Sequence, residues 1–312
     1  MPMTSSSSKD SRTSLFARMV VEGLKVSKYV EHLGFPPFDW QRDILDSDAT
    51  RKLILGCRQA GKSTVFSGKL CHKAKYKSES LGILLAPTMT QSGEDVEKVK
   101  TFISHDTTFP AVVRFSDSQI KLISGSRILV VPATEASARG YSKPDMLLLD
   151  EASRIEDEVY QSGIRPMLTD NPGCELAAIS TPHGKTGFFF RAWHRPDIWQ
   201  RYLIRSPWDV DPQDSSHLIP AMPEEEYRAK MAESGVRAYY SPRHYDLREQ
   251  EENLREMGPM QYRQEYCCEF VEPEENVFSY DDIERALKGM PDISPLGIPE
   301  IGECQGLEEA RT

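Results

Sequence analysis

The run Leu53-Ile54-Leu55-Gly56-Cys57-Arg58-Gln59-Ala60-Gly61-Lys62-Ser63-Thr64 constrains this chain more than any other stretch. A short apolar strand enters a loop bounded by two glycines, and a helix starts directly behind it. Gly56, Gly61, Lys62 and Ser63 meet the pattern G-x-x-x-x-G-K-[ST], in which every residue type serves phosphate chemistry. Two glycines let the backbone curl so that successive N–H groups face one phosphate group. Lys62 supplies a point charge for the β- and γ-phosphates, and the Ser63 hydroxyl suits a Mg²⁺ ion. The following helix adds the positive end of its dipole. This spacing predicts a strand–loop–helix unit within an α/β fold.

About 90 residues later comes Asp145-Met146-Leu147-Leu148-Leu149-Asp150-Glu151-Ala152. Four apolar residues before two carboxylates describe a buried strand whose C-terminal end opens on the phosphate loop. Asp150 is expected to hold Mg²⁺, directly or through water, and Glu151 to orient or deprotonate an attacking water. A third apolar run, Glu175 to Ser180, delivers Ser180-Thr181-Pro182 to the same sheet edge. Hydroxyls there could sense the γ-phosphate, or simply finish a strand. Upstream, Phe38-Asp39-Trp40-Gln41-Arg42 precedes the loop by about one helix. The Gln41 amide offers the donor and acceptor that adenine presents in reverse, with a neighbouring aromatic to stack on the base. The plainer reading is a surface Gln beside a core Trp. Positive charge on the γ-phosphate accelerates phosphoryl transfer, so two arginines stand out. Arg58 lies inside the loop, and Arg139 sits in Ala138-Arg139-Gly140, where it is either a catalytic cation or a surface ion pair.

The rest of the chain sets the frame. Its 312 residues allow one large α/β domain with an appendage. Residues 1 to 13 are Ser-, Thr- and charge-rich and are expected to form a disordered tail. Leu15 to Leu33 has helical apolar spacing. Residues 62–76 read as a helix whose Lys69, His72, Lys73, Lys75 and Lys77 most simply form a solvated face. Leu81–Ala86 is a buried strand, Thr90–Ser104 a polar helix, and Val112–Phe115, Gln119–Ser124 and Arg127–Val131 are further strands. A core over residues 14–206 is followed by a Pro-rich linker and helices over 207–290, with helical segments at about 223–234, 243–257, 259–270 and 280–288, then a flexible tail at 291–312. A formal net charge of −10 excludes a globally basic surface, so any nucleic-acid contact must be local. The six cysteines lack metal-ligand spacing and read as reduced thiols of a cytoplasmic protein. No apolar run is long enough to span a membrane.

In order and spacing these motifs resemble the ATPase half of a tailed-phage terminase large subunit, the motor that packages double-stranded DNA. The resemblance rests on Trp40-Gln41, the loop G-C-R-Q-A-G-K-S, Ala-Arg-Gly, L-L-L-D-E-A, S-T-P, T-P-H-G-K-T-G-F-F-F-R-A-W, and E-Y-C-C-E-F with V-F-S-Y-D-D-I. It implies a P-loop NTPase of the additional-strand, catalytic-glutamate class, with a mostly parallel sheet flanked by helices and a small helical lid. It further implies ATP and Mg²⁺ as ligands, with Gln41 on adenine and Gly56, Arg58, Gly61, Lys62, Ser63 and Thr64 around phosphate and metal. Asp150 and Glu151 resemble the metal-holding and catalytic carboxylates, and Thr181 the residue coupling hydrolysis to DNA movement. Arg139 resembles a finger donated to a neighbouring subunit. Implied partners are double-stranded DNA, further copies in a ring (a homopentamer), a portal protein and a small terminase subunit, in the host cytoplasm at the procapsid. In the family a nuclease follows the lid, and this sequence stops about where it would begin, so no DNA-cutting activity is expected of these residues. A helicase-like remodelling ATPase and a non-catalytic nucleotide-binding assembly protein are the alternatives.

Overall fold

Strands without polar alternation are stable only when both faces of their sheet are covered, and the continuous apolar runs of this chain meet that condition. The computed structural model describes residues 7–134 and 140–272. In chain order the elements are α1 (Ser7–Leu24), α2 (Val26–His32), α3 (Asp39–Asp46), β1 (Arg51–Gly56), α4 (Lys62–Tyr76), β2 (Leu81–Ala86) and α5 (Met89–His105). There follow β3 (Val112–Phe115), β4 (Gln119–Leu122), β5 (Arg127–Pro132), β6 (Met146–Asp150), α6 (157–170, with a π-helical turn at Tyr160–Ile164), β7 (Glu175–Ser180), α7 (Gly187–Trp193) and β8 (Gln200–Arg205). Last come β9 (Trp208–Val210), β10 (Leu218–Pro220), α8 (Glu224–Glu233), β11 (Val236–Tyr240) and α9 (Leu247–Glu265).

Nine strands form one sheet in the order β11-β8-β1-β7-β6-β2-β5-β4-β3. From β11 to β5 all neighbours are parallel, and β4 and β3 add an antiparallel edge. The inserted β7 lies between the phosphate-loop strand β1 and the acidic strand β6, as the additional-strand class requires. Register then decides what meets at the edge. Leu55 is level with Ser180, and Asp150 with Ile179, so the loop after Gly56, the carboxylates and the Ser-Thr pair leave the sheet together.

Three expectations need correction. Helix α1 starts at Ser7, inside the stretch expected to be disordered, and the helical pattern up to Leu33 is two helices broken at Lys25. Only the second docks fully: Tyr29, Val30 and Leu33 are buried, whereas Leu24 is 80% exposed. The basic cluster of α4 is not a solvated face. Helix α4 packs against α2, α3 and α5, so Lys69 and Lys75 point into protein, each meeting a carboxylate: Glu175 at 2.6 Å and Asp106 at 2.7 Å. Only Lys77, beside Asp145, stays largely in water.

Beyond Ser206 the chain is not purely helical. The β9–β10 hairpin and β11 interrupt it, and β11 extends the main sheet beside β8. Its alternating burial at Val236, Arg237 and Ala238, behind the left-handed Gly235, is a strand signal that the surrounding helical pattern masks. The predicted break between two helices near residue 258 is present as a kink in α9, where Gly258 has φ 78° and Pro259 follows. The helix predicted at 280–288 lies outside the described residues. Among the described residues no helix is long and apolar enough to cross a membrane, and the five cysteines are unbridged.

Candidate nucleotide site

The loop after β1 is shaped by its glycines. Gly61 sits at φ 93°, where a side chain would be strained, and from it α4 starts with Lys62 as its first residue. A Cβ on Gly56 would come within 2.9 Å of the Lys62 side chain, which folds back across it. The Lys62 ammonium donates to the carbonyls of Gly56 (3.0 Å) and Cys57 (2.9 Å) and lies 4.0 Å from Glu151 Oε1. From the next residue, Ser63 Oγ donates to Asp150 Oδ2 at 2.8 Å. Four of the predicted residues, brought by α4 and β6, therefore meet at one point.

The acidic edge is built under strain. Glu151 holds a left-handed conformation (φ 45°, ψ 46°), which costs a non-glycine residue about 1–2 kcal/mol. That turn aims its carboxylate back across the sheet edge, where Oε2 accepts from Ser180 Oγ (3.2 Å) and Thr181 Oγ1 (3.5 Å). Ser153 locks the pair, lying 2.7 Å from Ser180 Oγ and donating to the Thr181 carbonyl at 2.9 Å. The Ser-Thr pair thus holds Glu151, a tie the sequence did not disclose.

Behind this edge lies Asp95 of α5, only 1% exposed, a residue the sequence reading missed. Its Oδ1 accepts from Lys98 at 2.8 Å, while no donor reaches its buried Oδ2. Burial, then the charges of Asp95 and Glu151, push Asp150 up to about 7. Burial likewise raises Asp95 above the usual carboxylate range. A signal for Asp95 exists in hindsight: it falls on the buried stripe of α5 with Ser92, Val96, Val99 and Phe102.

On the other side of the loop, the buried Gln41 ties α3 to the phosphate loop. Its Oε1 accepts from Phe38 N–H at 2.9 Å, and its Nε2 donates to the Gly61 carbonyl at 3.2 Å. An amide has a second lone pair and a second N–H, so each end keeps capacity for a ligand. Phe38, Gln41 and Thr64 line a cleft of about 210 Å³, whereas Trp40 is buried in the core at 1% exposure and does not line it. Arg58 is exposed at the loop's crest, its backbone N–H donating to Glu265 O at 2.8 Å. Arg139 lies outside the described residues.

The underside of the loop rests on His244, 2% exposed, with Nδ1 3.7 Å from Cys57 Sγ and its ring edge-on to Tyr266 at 5.3 Å. Burial, helped by the nearby Arg243 and Lys62 charges, pushes its pKa from 6.5 down to about 4. The unfolded chain therefore takes up this proton first, and the stability His244 contributes is full above pH 6.5 and lost as pH falls toward 4. His72 acts with the same sign, and the raised Asp150 with the opposite one. The clean readout is thus a difference. The fall in denaturation midpoint between pH 6.5 and 4 should be shallower in His244→Phe than in wild type, and parallel curves would refute the assignment.

The sheet with β7 inserted between β1 and β6, and the loop–carboxylate edge it creates, define an additional-strand P-loop NTPase fold. Residues 53–285 match the family described as terminase large subunit, T4likevirus-type, N-terminal, and the chain belongs to that family. The terminase large subunit of Thermus virus P23-45 is 26% identical over 291 residues, covering 81% of this chain and 52% of that protein. The chain thus spans about half the length of the curated relatives it matches. Two solved structures share the fold. The large terminase ATPase domain of Thermus phage P74-26 has a TM-score of 0.56 at 23% identity, covering 78% of this chain and 98% of that one. The HK97 bacteriophage large terminase has a TM-score of 0.56 at 16% identity, covering 79% and 55%. The family match favours neither the helicase-like nor the assembly-protein alternative.

Proposed function

We propose that this chain is the Mg²⁺-dependent, ATP-hydrolysing motor part of a terminase large subunit, driving double-stranded DNA into a procapsid in the host cytoplasm. The observation that carries this reading is the convergence of Lys62, Ser63, Asp150 and Glu151 at the C-terminal end of parallel strands. The residues also fit Mg²⁺. Ser63 Oγ and Asp150 Oδ2 are hard oxygen donors 2.8 Å apart, and Asp95 adds a buried carboxylate oxygen that lacks a donor. Among the described residues no group of three His, Cys, Asp or Glu is arranged to hold a metal alone. That suits an ion which takes its other ligands from phosphates and water. When bound, Mg²⁺ supplies charge neutralisation at the β- and γ-phosphate oxygens.

The chain's own residues do the rest. Lys62 leaves its loop carbonyls for the β/γ-phosphates, with Arg58 beside it on the loop. Glu151, fixed by Ser180 and Thr181, accepts a proton from the attacking water. Because these hydroxyls touch the base directly, loss of the γ-phosphate is felt by the strand end that carries Thr181, which passes it to the lid after Ser206. Arg139 reaches the site of a neighbouring copy in a ring, a homopentamer docked on a portal protein and supplied by a small terminase subunit.

The test is ATP turnover against protein concentration for wild type, Arg139→Ala, and an equal mixture of Arg139→Ala with Glu151→Ala. Turnover is expected to rise steeply with concentration and to recover in part in the mixture, where one copy offers an intact base and its neighbour an intact arginine. Concentration-independent turnover with no recovery would overturn the shared site and the ring motor with it.

A further inference from the structure

Arg243 belongs to none of the motifs above, yet it reaches the nucleotide loop from the far end of the chain. It follows β11 in the short turn Pro242–His244. Its Nη1 approaches the Gln59 carbonyl at 3.5 Å, and a Cβ on Gly61 would lie 3.7 Å from its guanidinium. The guanidinium carbon stands 5.8 Å from the Phe38 ring centroid, and Arg243, Phe38, Gln41 and Thr64 share one cleft. The phosphate side of the loop is marked by Lys62, Ser63 and Glu151, and Arg243 contacts none of them.

We propose that Arg243 clamps the base of the bound nucleotide against Phe38, a specificity contact that reports the base and not the phosphates. The inference rests on the nucleotide reading of the loop and adds to it a residue that grips the base from the side opposite Phe38. A guanidinium is planar and stacks on π-faces, while Phe38 offers the opposing face and Gln41 the hydrogen-bonding edge. A flat ring between two stacking partners needs roughly 7 Å, two contacts of about 3.5 Å each. The gap of 5.8 Å must therefore widen by only about 1 Å. Arg243 is exposed while the next residue, His244, is anchored on Cys57 of the loop, so that widening is a swing of the Arg243 side chain and leaves the turn and the sheet in place.

The experiment is calorimetric binding of ADP and, separately, of inorganic tripolyphosphate to wild type, Arg243→Ala, Arg243→Lys and Lys62→Ala. Arg243→Ala should weaken ADP about tenfold, in line with the loss of one stacking partner, and leave tripolyphosphate within about twofold. Arg243→Lys should lose most of the ADP affinity too, since it keeps the charge without the plane. Equal losses for both ligands would make Arg243 a phosphate contact or a structural residue, and no loss for either would remove it from the site; both results overturn the clamp. Arg243 is exposed, so the unfolding midpoint without ligand should not change. Failure of the nucleotide reading itself looks different: wild type would not bind ADP, or Lys62→Ala would bind it as tightly as wild type.

Discussion

Glu151→Gln should lower ATP turnover by about 10³-fold while leaving ATP bound as tightly as in wild type or more so. The two halves of this expectation have separate causes. Turnover depends on a carboxylate able to take a proton from water, and the amide that replaces it has no basic lone pair at neutral pH. Binding, on the function proposed, depends on Lys62, whose ammonium lies 4.0 Å from Glu151 Oε1. Neutralising position 151 removes the anion that competes with the nucleotide phosphates for that ammonium. The geometry survives the change, because Ser180 Oγ and Thr181 Oγ1 can still donate to the amide oxygen, as they do to Oε2. Single-turnover hydrolysis and equilibrium binding of labelled ATP separate the two effects. A variant that retains more than a tenth of wild-type turnover would show that another group activates the water. One that loses turnover and binding together would show that position 151 shapes the phosphate loop.

Much of this was legible in the residues. The apolar runs predicted buried parallel strands because such strands have no solvent face, and the loop and acid motifs predicted which strand ends must meet. Periodicity could not reach contacts between elements distant in sequence. Lys69 and Lys75 look like surface residues until α2, α3 and α5 close around α4, and Asp95 looks like one more charge on a polar helix until it faces Asp150. β11 was hidden for another reason: its two flanking stretches are helical, and a five-residue alternation between helices is too short to compete. The tie from Ser180 and Thr181 to Glu151 depends on the register of β6 and β7 and on a strained φ, neither of which has a sequence signature.

The largest effect on stability is expected far from the loop, at the opposite end of β1. There Glu175 Oε1 accepts at 2.6 Å from both Lys52 and Lys69, two ammoniums that are 0% and 3% exposed. Burial, followed by repulsion from Lys69, lowers Lys52 to about 8, while the two cations outweigh burial at Glu175 and hold its carboxyl down. Glu175→Gln leaves both cations buried without a counter-charge and should cost about 3–5 kcal/mol at neutral pH, read as a lower denaturation midpoint. The sign of its pH dependence is fixed by Lys52. Its folded-state pKa lies below the unfolded one, so the unfolded chain holds more protons and stability recovers as pH rises. The deficit should therefore shrink between about pH 7 and about pH 9.5, as Lys52 becomes neutral within the fold. Lys52→Met separates charge from packing. With Glu175 intact it leaves the Lys69 pair whole and should change stability by less than about 1.5 kcal/mol. Combined with Glu175→Gln it should recover a large part of the loss, because one buried ammonium is gone. A Glu175→Gln deficit that is constant with pH, or one that Lys52→Met does not relieve, would mean that the carboxylate supports β7 through packing and that the shared ion pair contributes little.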